Sequence, residues 1–341
     1  MSVLITDVAK LAGVSISTVS RVISNNGYPV KPAVREKVLA AAKELNYVPN
    51  ISAKTLRQQK RNGIAFIVRS INDPYFTIIE KGVTEAAFKN GLLASVFTSM
   101  QDTEFEMKYY NMLLEQQYAG VIIGGGAYGG SKTNKRLKDI VRQLQNQGCK
   151  VIALAPQGFD VPTISVDNID VGYKATKELI SLGHKDIAYI GGYPDHLVDV
   201  DRFKGYQKAL EEVEIDYNPL IVRVSEYSIQ GGYDNCSILL DQKNEFTAAY
   251  CSNDHIAIGA AQCLKDRGMR VPEDVSIMGT GGFYDDAGFF IDTNLSTVRF
   301  PFYQLGEKAV NLIKDSDDLP NDYKEVLPTE VVLKKTTARL E

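Results

Sequence analysis

Apolar runs alternate with amphipathic stretches from Gly63 onward, and this alternation most constrains the fold of the 341-residue chain. The runs 64–68, 92–97 and 120–124 are short and apolar, as is typical of buried strands, whereas 76–90 and 103–117 have helical spacing. A similar alternation resumes between Val151 and Gly279. This β-α-β order is the pattern of a parallel sheet covered by helices. The length suffices for two such sheets, so we predict an α/β body of two parallel-sheet, Rossmann-like subdomains.

The first 61 residues differ from the body in charge. They carry ten Lys and Arg against three acidic residues, which gives +7 and leaves −11 for the rest of a chain whose total is −4. An asymmetry of this size favours contact with a polyanion at the amino-terminal end and repulsion elsewhere. A chain of this length also indicates more than one domain.

Two short helices joined by a glycine turn are predicted in this basic segment. Thr6 can cap a first helix, Gly13 supplies the turn, and Ser15 can cap a second helix over 16–24. A third helix beginning at Pro32 would close an all-α core. The arrangement is that of a helix-turn-helix, whose second helix fits the major groove of DNA.

The spacing along the second helix predicts which side chains face the core. Ile16, Val19 and Ile23 recur at helical spacing and are expected to face inward. The hydroxyl side chains between them and Arg21 would then face outward.

Residues 6–22, TDVAKLAGVSISTVSRV, are similar to the signature of the lactose-repressor and galactose-repressor (LacI/GalR) family of transcription regulators. The resemblance implies that Ile16 and Ser17 read bases, that Arg21 also reaches bases, and that neighbouring residues grip phosphates. The positions that match DNA contacts of the family in the head are Thr6, Ser15, Ile16, Ser17, Thr18, Ser20 and Arg21.

Residues 46–57, NYVPNISAKTLR, resemble the hinge segment of the same family. The resemblance implies DNA contacts from Asn50, Ala53, Lys54 and Leu56. Leu56 would act as a wedge that enters the minor groove between base steps and kinks the duplex. A helix this short is marginal in isolation, so we expect the segment to become ordered only on DNA.

The body resembles the family along most of its length, and with it the periplasmic sugar-binding proteins of the same two-lobed fold. Landmarks include NDPYF at 72–76, LGHKDIAYIGG at 182–192 and VPEDVS at 271–276. The resemblance implies a helix-turn-helix headpiece over 1–49, a hinge over 50–61 and an effector-binding and dimerisation domain over 62–341.

Family topology further implies three crossings between the lobes, near Pro162, Asp292 and Asn321. The amino-terminal lobe would then comprise about 62–161 and 293–321. The carboxy-terminal lobe would comprise about 162–292 and 322–341.

A ligand cleft is implied at the positions that match effector contacts of the family. Aromatic rings that stack on a pyranose, together with Arg, Asn and Asp side chains that bind adjacent hydroxyls, suit a carbohydrate. Some of these aromatics could instead only pack the lobes. The matching positions are Asp73, Tyr75, Phe76, His196, Arg202, Tyr227, Asn253 and Phe302.

One departure from the family lies at Gly281 and Gly282, where the family usually has an acidic ligand contact. Either Asp285 or Asp286 replaces that contact from a longer loop, or the effector makes no such contact. The identity of the effector therefore stays open at this point.

Several classes are disfavoured by what the sequence does not contain. No nucleophile, paired carboxylate or nucleotide-binding glycine motif is recognisable, so no enzymatic function and no cofactor is expected. Four cysteines without a CxxC pair and three histidines indicate no metal site. The absence of a leader or a membrane-length apolar run predicts a cytoplasmic protein with reduced thiols and no membrane contact, and disfavours a sugar receptor that lacks DNA binding.

We therefore predict a repressor of carbohydrate-utilisation genes that a sugar or sugar-phosphate inducer releases from DNA. A corepressor-dependent repressor of the purine type and a catabolite regulator driven by a partner protein remain alternatives. Since one head reads one half-site, a homodimer on near-palindromic double-stranded operator DNA is expected. Residues 329–341 show no leucine heptads that would predict a tetramer.

Overall fold

The structure is a computed structural model that describes residues 3–24, 28–48, 61–100, 102–129, 132–224, 226–282 and 294–340. The chain forms two compact units, Met1–Arg61 and Asn62–Glu341. We refer to them as the head and the body.

The head is a small three-helix domain. Its helices are α1 (Ile5–Ala12), α2 (Ile16–Ser24) and α3 (Pro32–Glu44). Val8, Val19, Val22 and Val38 are buried at their junction and form the centre of its core. The predicted all-α helix-turn-helix is therefore present.

Two details of the head differ from the sequence prediction. The N-cap of α1 is Leu4 and not Thr6, because the Asp7 carboxylate accepts the Leu4 N–H at 2.8 Å and so anchors the start of the helix. Ile16 is 44% exposed, since it is the first residue of α2 and the buried contacts of that helix begin one turn later, at Val19.

The body contains two six-stranded sheets. The strands of the first sheet are β1 (Gly63–Val68), β2 (Leu93–Thr98), β3 (Tyr118–Ile123), β4 (Lys150–Ala153), β5 (Thr163–Ser165) and β11 (Lys324–Val326). Their order is β11-β5-β4-β3-β1-β2, and all neighbouring strands are parallel. The helices of this lobe, the N-lobe, are α4 (Pro74–Lys89), α5 (Thr103–Glu115), α6 (Lys132–Asn146) and α11 (Phe302–Asp315).

The second sheet repeats this architecture. Its strands are β6 (Ile187–Gly191), β7 (Val222–Val224), β8 (Ala248–Cys251), β9 (Ser276–Gly281), β10 (Ser296–Arg299) and β12 (Glu330–Val332). The order is β12-β10-β9-β8-β6-β7, with only β12 antiparallel to its neighbour. The helices of this C-lobe are α7 (Asn168–Ser181), α8 (Leu197–Glu211), α9 (Ile229–Asp241) and α10 (Asp254–Asp266).

The chain crosses between the lobes three times, each time a few residues later than the sequence predicted. The crossings follow Ser165, Arg299 and Val326 instead of lying near Pro162, Asp292 and Asn321. The reason is strand pairing: β5 and β11 pair with each other in the first sheet, while β10 pairs with β9 and β12 in the second. Each strand thus completes the sheet of the lobe that the chain is about to leave.

Close packing of α7 against α8 fixes one wall of the space between the lobes. A Cβ atom on Gly172 would lie 2.0 Å from the Arg202 carbonyl oxygen, and one on Gly205 would lie 2.0 Å from the Ile169 carbonyl oxygen. Only glycine allows the two helix backbones to come this close. The contact sets the position of Arg202 on α8.

Two further features concern the predictions about membrane contact and cysteine pairing. Within the described ranges, no helix is long and apolar enough to cross a membrane. None of the four cysteines forms a disulfide, and all four are buried.

Candidate effector cleft and DNA-binding head

A cavity of about 160 Å³ lies in the body where the carboxyl ends of both sets of strands meet. Its lining includes residues that follow β1, β3, β6 and β8, so both lobes contribute to it. Ligands of open α/β sheets bind at this edge. The cavity is therefore the candidate effector site.

Four helices begin at this cavity. Asp73, His196, Ser228 and Asn253 are the N-cap residues of α4, α8, α9 and α10, and all four line it. Asp73, Ser228 and Asn253 each accept a backbone N–H of their own helix at 2.8–3.0 Å. The positive ends of four helix dipoles consequently point at one small volume.

Arg202 lies on the C-lobe wall and is only 6% exposed. Its Nε donates to Asn168 Oδ1 at 3.1 Å and its Nη1 to the Ser252 carbonyl oxygen at 2.5 Å. The guanidinium carbon lies 5.3 Å from the centre of the Phe300 ring. All three partners are uncharged.

Arg69 follows β1 and reaches across the cavity from the N-lobe. It donates to the Gly126 carbonyl oxygen, and its Nη1 lies 3.4 Å from the Tyr128 hydroxyl. The same Nη1 lies 3.3 Å from Nε2 of His196, which belongs to the C-lobe. The side chain therefore contacts both lobes.

His196 is one member of a buried polar cluster on the C-lobe wall, with Asp199 and Tyr227. Asp199 accepts the Gly192 N–H at 3.0 Å and the Tyr227 hydroxyl, and it lies 3.3 Å from His196 Nδ1. Nε2 of His196 lies 3.2 Å from the Gly126 carbonyl oxygen, so the ring contacts residues of both lobes.

Main-chain hydrogen bonds join the two lobes beside the cavity. Gly129 N–H donates to the Asp195 carbonyl at 2.6 Å, and Leu197 N–H donates to the Ala127 carbonyl at 3.0 Å. They form an isolated antiparallel bridge between Tyr128 and His196, which we call the cross-lobe bridge. The loops after β3 and β6 are held together by it.

Burial shifts the pKa values of three ionisable groups in and beside the cavity. Burial raises the pKa of the Asp73 carboxyl, against the opposing charge of His255 from the other lobe. Burial likewise lowers the pKa of His255, against the opposing charge of Asp73. The pKa of Tyr75 is raised to about 12 by burial, although the positive charges of Arg202 and Arg69 act against that rise.

The structure brings together all but one of the residues that the sequence placed in the cleft. The residues of that set that line the cavity are Asp73, Tyr75, Phe76, His196, Arg202, Tyr227 and Asn253. Phe302 does not line it, because its ring is fully buried behind Tyr75, with ring centres 5.2 Å apart. Phe302 supports a wall residue instead of facing the cavity.

Sequence reasoning missed Arg69, Tyr128 and Tyr193, which also line the cavity. The cleft positions were taken from the resemblance to the family, and these three were not among them. A signal was nevertheless present for Arg69, since a charged residue directly after an apolar parallel strand lies at the ligand edge of the sheet.

Gly281 and Gly282 have backbone conformations that favour glycine over any acidic residue. Their φ angles are 129° and 74°, a region that side-chain-bearing residues rarely adopt. The Gly282 N–H donates to the buried carboxylate of Asp254 at 2.7 Å, which holds this turn. Asp285 and Asp286 lie outside the described residues.

The DNA-contacting positions predicted in the head lie on α1 and on the first turns of α2. Ser15 caps α2 as the sequence predicted, because its Oγ accepts the Thr18 N–H at 3.2 Å. The exposed side chains are Thr6, Ser15, Ile16, Ser17 and Arg21, whereas Thr18 and Ser20 are half-buried. The hinge positions Asn50, Ala53, Lys54 and Leu56 lie outside the described residues.

Comparison with known proteins identifies the family. Residues 4–50 match the family described as bacterial regulatory proteins, lacI family, and residues 61–322 match the periplasmic binding proteins and sugar binding domain of LacI family. The chain belongs to the LacI family. Within the described ranges, this LacI-family chain has no cluster of three or more His, Cys, Asp or Glu side chains that could hold a metal ion.

Relatives of this LacI-family chain are similar over almost its whole length. The transcriptional repressor PurR of Haemophilus influenzae (strain PittEE) is 32% identical, over 97% of this chain and 98% of the relative. The regulator DegA of Bacillus subtilis (strain 168) is 31% identical, over 100% and 99%. Because these relatives are transcriptional regulators, the prediction of a DNA-binding transcription regulator and not an enzyme is confirmed.

Solved structures show the same architecture. The lac repressor dimer bound to operator and the anti-inducer ONPF is 25% identical, with a TM-score of 0.85 and coverage of 99% of this chain and 100% of that one. The regulator CelR in complex with cellobiose is 27% identical, with a TM-score of 0.70 and coverage of 98% and 99%. The predicted two-lobed, periplasmic-binding-protein-like body is confirmed.

Proposed function

We propose that this LacI-family chain acts in the cytoplasm as a homodimeric repressor that binds a near-palindromic operator and releases it when a small carbohydrate enters the cavity between its lobes. The cavity carries the proposal, since it combines aromatic rings with buried hydrogen-bond donors from both lobes. Such a lining suits a polar ring with adjacent hydroxyls.

The DNA half of the proposal is supported by charge and by the exposed face of α2. The head has a charge of +7, and Ile16, Ser17 and Arg21 are exposed on its second helix. Since the N-terminal residues of a recognition helix contact base edges, these side chains are placed to read a half-site. The related lac repressor binds its operator as a dimer, in keeping with two-fold recognition.

The size and chemistry of the cavity support a small effector. An engineered protein cavity of roughly 150 Å³ holds one benzene molecule, so the cavity of about 160 Å³ seen here has room for about one ring. The rings of Tyr75, Tyr128 and Tyr227 line it beside the guanidinium of Arg202 and the side chain of Asn253. The relative CelR binds cellobiose.

A corepressor-dependent repressor of the purine type is the second candidate. The observation in its favour is the 32% identity to PurR over nearly the whole chain. The two candidates predict opposite responses, because an inducer lowers operator affinity and a corepressor raises it. A catabolite regulator driven by a partner protein would instead respond to that protein and to no small molecule alone.

A gel-shift experiment tests the proposal. The full-length chain is titrated onto the DNA upstream of its own gene, with and without a panel of sugars, sugar phosphates and purine bases. We expect a shifted complex that one of the carbohydrates dissociates. Arg202→Gln should still bind this DNA and lose the response to the carbohydrate. A complex that only a purine base strengthens would refute release by an inducer and support the second candidate.

The hinge assignment has its own test. Leu56→Ala should weaken operator binding by about tenfold or more, because it removes the apolar wedge that offsets unstacking of the base step. Gln58→Ala in the same segment is the control and should have little effect. Equal operator affinity of the Leu56 variant and the wild type, measured by fluorescence anisotropy, would contradict the assignment.

A further inference from the structure

Arg202 is a buried cation whose partners in the structure are neutral. Its contacts are the amide of Asn168, the Ser252 carbonyl and the Phe300 ring, and it has no carboxylate within 4.0 Å among the described residues. Buried charges are ordinarily paired with an opposite charge, since dipoles alone rarely offset their desolvation. The side chain lines the cavity, so its counter-charge could come from the ligand.

Arg69 presents a second cation to the same cavity from the opposite lobe. Its partners are the Gly126 carbonyl, the Tyr128 hydroxyl and His196, and within the described ranges it too has no carboxylate at ion-pair distance. Burial raises the pKa of the Tyr75 hydroxyl to about 12, and the positive charges of both guanidinium groups act against this rise. They therefore share one small region.

The helix termini add to this positive potential. The N-cap residues of α4, α8, α9 and α10 all line the cavity. The amino-terminal end of a helix attracts anions through its dipole and its unpaired N–H groups. Four such ends and two guanidinium groups favour a negative charge on whatever binds between them.

The carboxylates that line the cavity have other contacts. Asp73 accepts the Tyr75 N–H at 3.0 Å and faces the opposing charge of His255. Glu226 accepts the Ser228 hydroxyl at 3.0 Å. Neither carboxylate pairs with Arg69 or Arg202, so both arginines can bind an anionic group of a ligand.

We propose that the effector carries an anionic group, a carboxylate or a phosphate, next to its sugar ring, and that Arg69 and Arg202 bind this group from the two lobes. The proposal rests on the proposed function, because it takes the effector to be a carbohydrate. A guanidinium fork matches the oxygens of either anion. An anion bound by both arginines would contact both lobes at once.

The test is a thermal-shift and calorimetric comparison of matched sugars on the full-length chain. One set is glucose, glucuronate and glucose 6-phosphate, and the other is galactose, galacturonate and galactose 6-phosphate. Adenine and guanine form a separate arm. A ligand that binds only the native state raises the melting temperature. We expect an anionic sugar to bind at least tenfold more tightly than its neutral parent, and the two acidic arms distinguish carboxylate from phosphate.

Two variants test whether Arg69 is responsible for tighter binding of the anionic sugar. Arg69→Gln should reduce affinity for the anionic sugar by about tenfold to a hundredfold, the factor for one hydrogen-bonded contact with a charged group. Arg136→Gln is the control, because Arg136 pairs with Glu104 on the surface at 2.6 Å, and it should leave that affinity unchanged.

The contrary results are distinct for the two proposals. Binding of a neutral parent as tight as that of its acidic derivatives would overturn the anionic effector and leave the carbohydrate proposal standing. Wild-type affinity of Arg69→Gln for the anionic sugar would overturn the assignment of the anion to the two arginines and would likewise leave the carbohydrate proposal standing. A melting shift produced by a purine base alone, or by no member of either sugar set, would overturn both.

Discussion

Replacing Asp199 by asparagine tests whether the buried polar cluster stabilises the C-lobe wall of the cavity. The Asp199 side chain is 4% exposed, accepts the Gly192 N–H and the Tyr227 hydroxyl, and lies 3.3 Å from His196 Nδ1. An asparagine keeps one acceptor for Gly192 but turns an N–H₂ group toward the Tyr227 hydroxyl and His196 Nδ1. Each lost hydrogen bond to a charged group costs about 1.5–3 kcal/mol, and rotation of the Tyr227 hydroxyl recovers part of this, so we expect about 2–4 kcal/mol.

The assay is calorimetric melting of the full-length chain, with Asp201→Asn as the matched control. A loss of this size lowers the melting temperature of the body by roughly 5–15 °C. Asp201 lies on the same helix and pairs with Lys204 at 2.9 Å near the surface, where an ion pair contributes about 0–1 kcal/mol. If the Asp199 variant melted within roughly 2 °C of the Asp201 variant, a margin worth about 1 kcal/mol or less, the cluster would not stabilise the wall.

Three further outcomes are expected. Gly172→Ala places a Cβ atom 2.0 Å from the Arg202 carbonyl, and forcing α7 and α8 apart should cost about 1–3 kcal/mol in urea unfolding; an unchanged midpoint would argue against this close contact. Leu197 is the first residue of α8, where amides usually exchange rapidly, but its N–H donates to the Ala127 carbonyl of the other lobe at 3.0 Å. Hydrogen exchange should therefore find this amide protected. Rapid exchange would show that the cross-lobe bridge does not form. Burial lowers the pKa of His184 from its usual 6.5, so the unfolded state binds the proton more readily than the folded state. The free energy of unfolding should therefore fall as pH drops below about 6.5. His184→Gln should show a smaller fall, and an equal fall would contradict this assignment.

The sequence predicted the architecture of the body because the length and apolar pattern of each run are enough to indicate a buried strand. Strands β1 and β2 lie within one residue of the predicted runs 64–68 and 92–97. The crossings between lobes were less predictable, since a short strand such as β5 carries no local mark of the sheet that it joins. Which lobe takes such a strand depends on pairing with β11, a segment about 160 residues later.

The cleft was predictable where family motifs cover it and less so elsewhere. Arg202 and Asn253 were among the positions that the resemblance to the family implied, whereas Arg69 and Tyr128 were not. Phe302 illustrates the opposite error: a position can match a family contact while its ring packs one layer behind the wall. In the head, the Asp7 carboxylate displaced the cap from Thr6 to Leu4, a competition between two local signals that the sequence does not decide.

The central claim is that the basic head recognises a specific operator, and a salt-dependent gel shift tests it most directly. The full-length chain is titrated onto labelled DNA from upstream of its own gene at several salt concentrations, with unlabelled random DNA as competitor. We expect a complex that survives the competitor and weakens steeply as salt rises, because phosphate contacts release counterions while base contacts confer specificity. Failure of the folded protein to shift this DNA at low salt, or equal affinity for random DNA, would contradict the account.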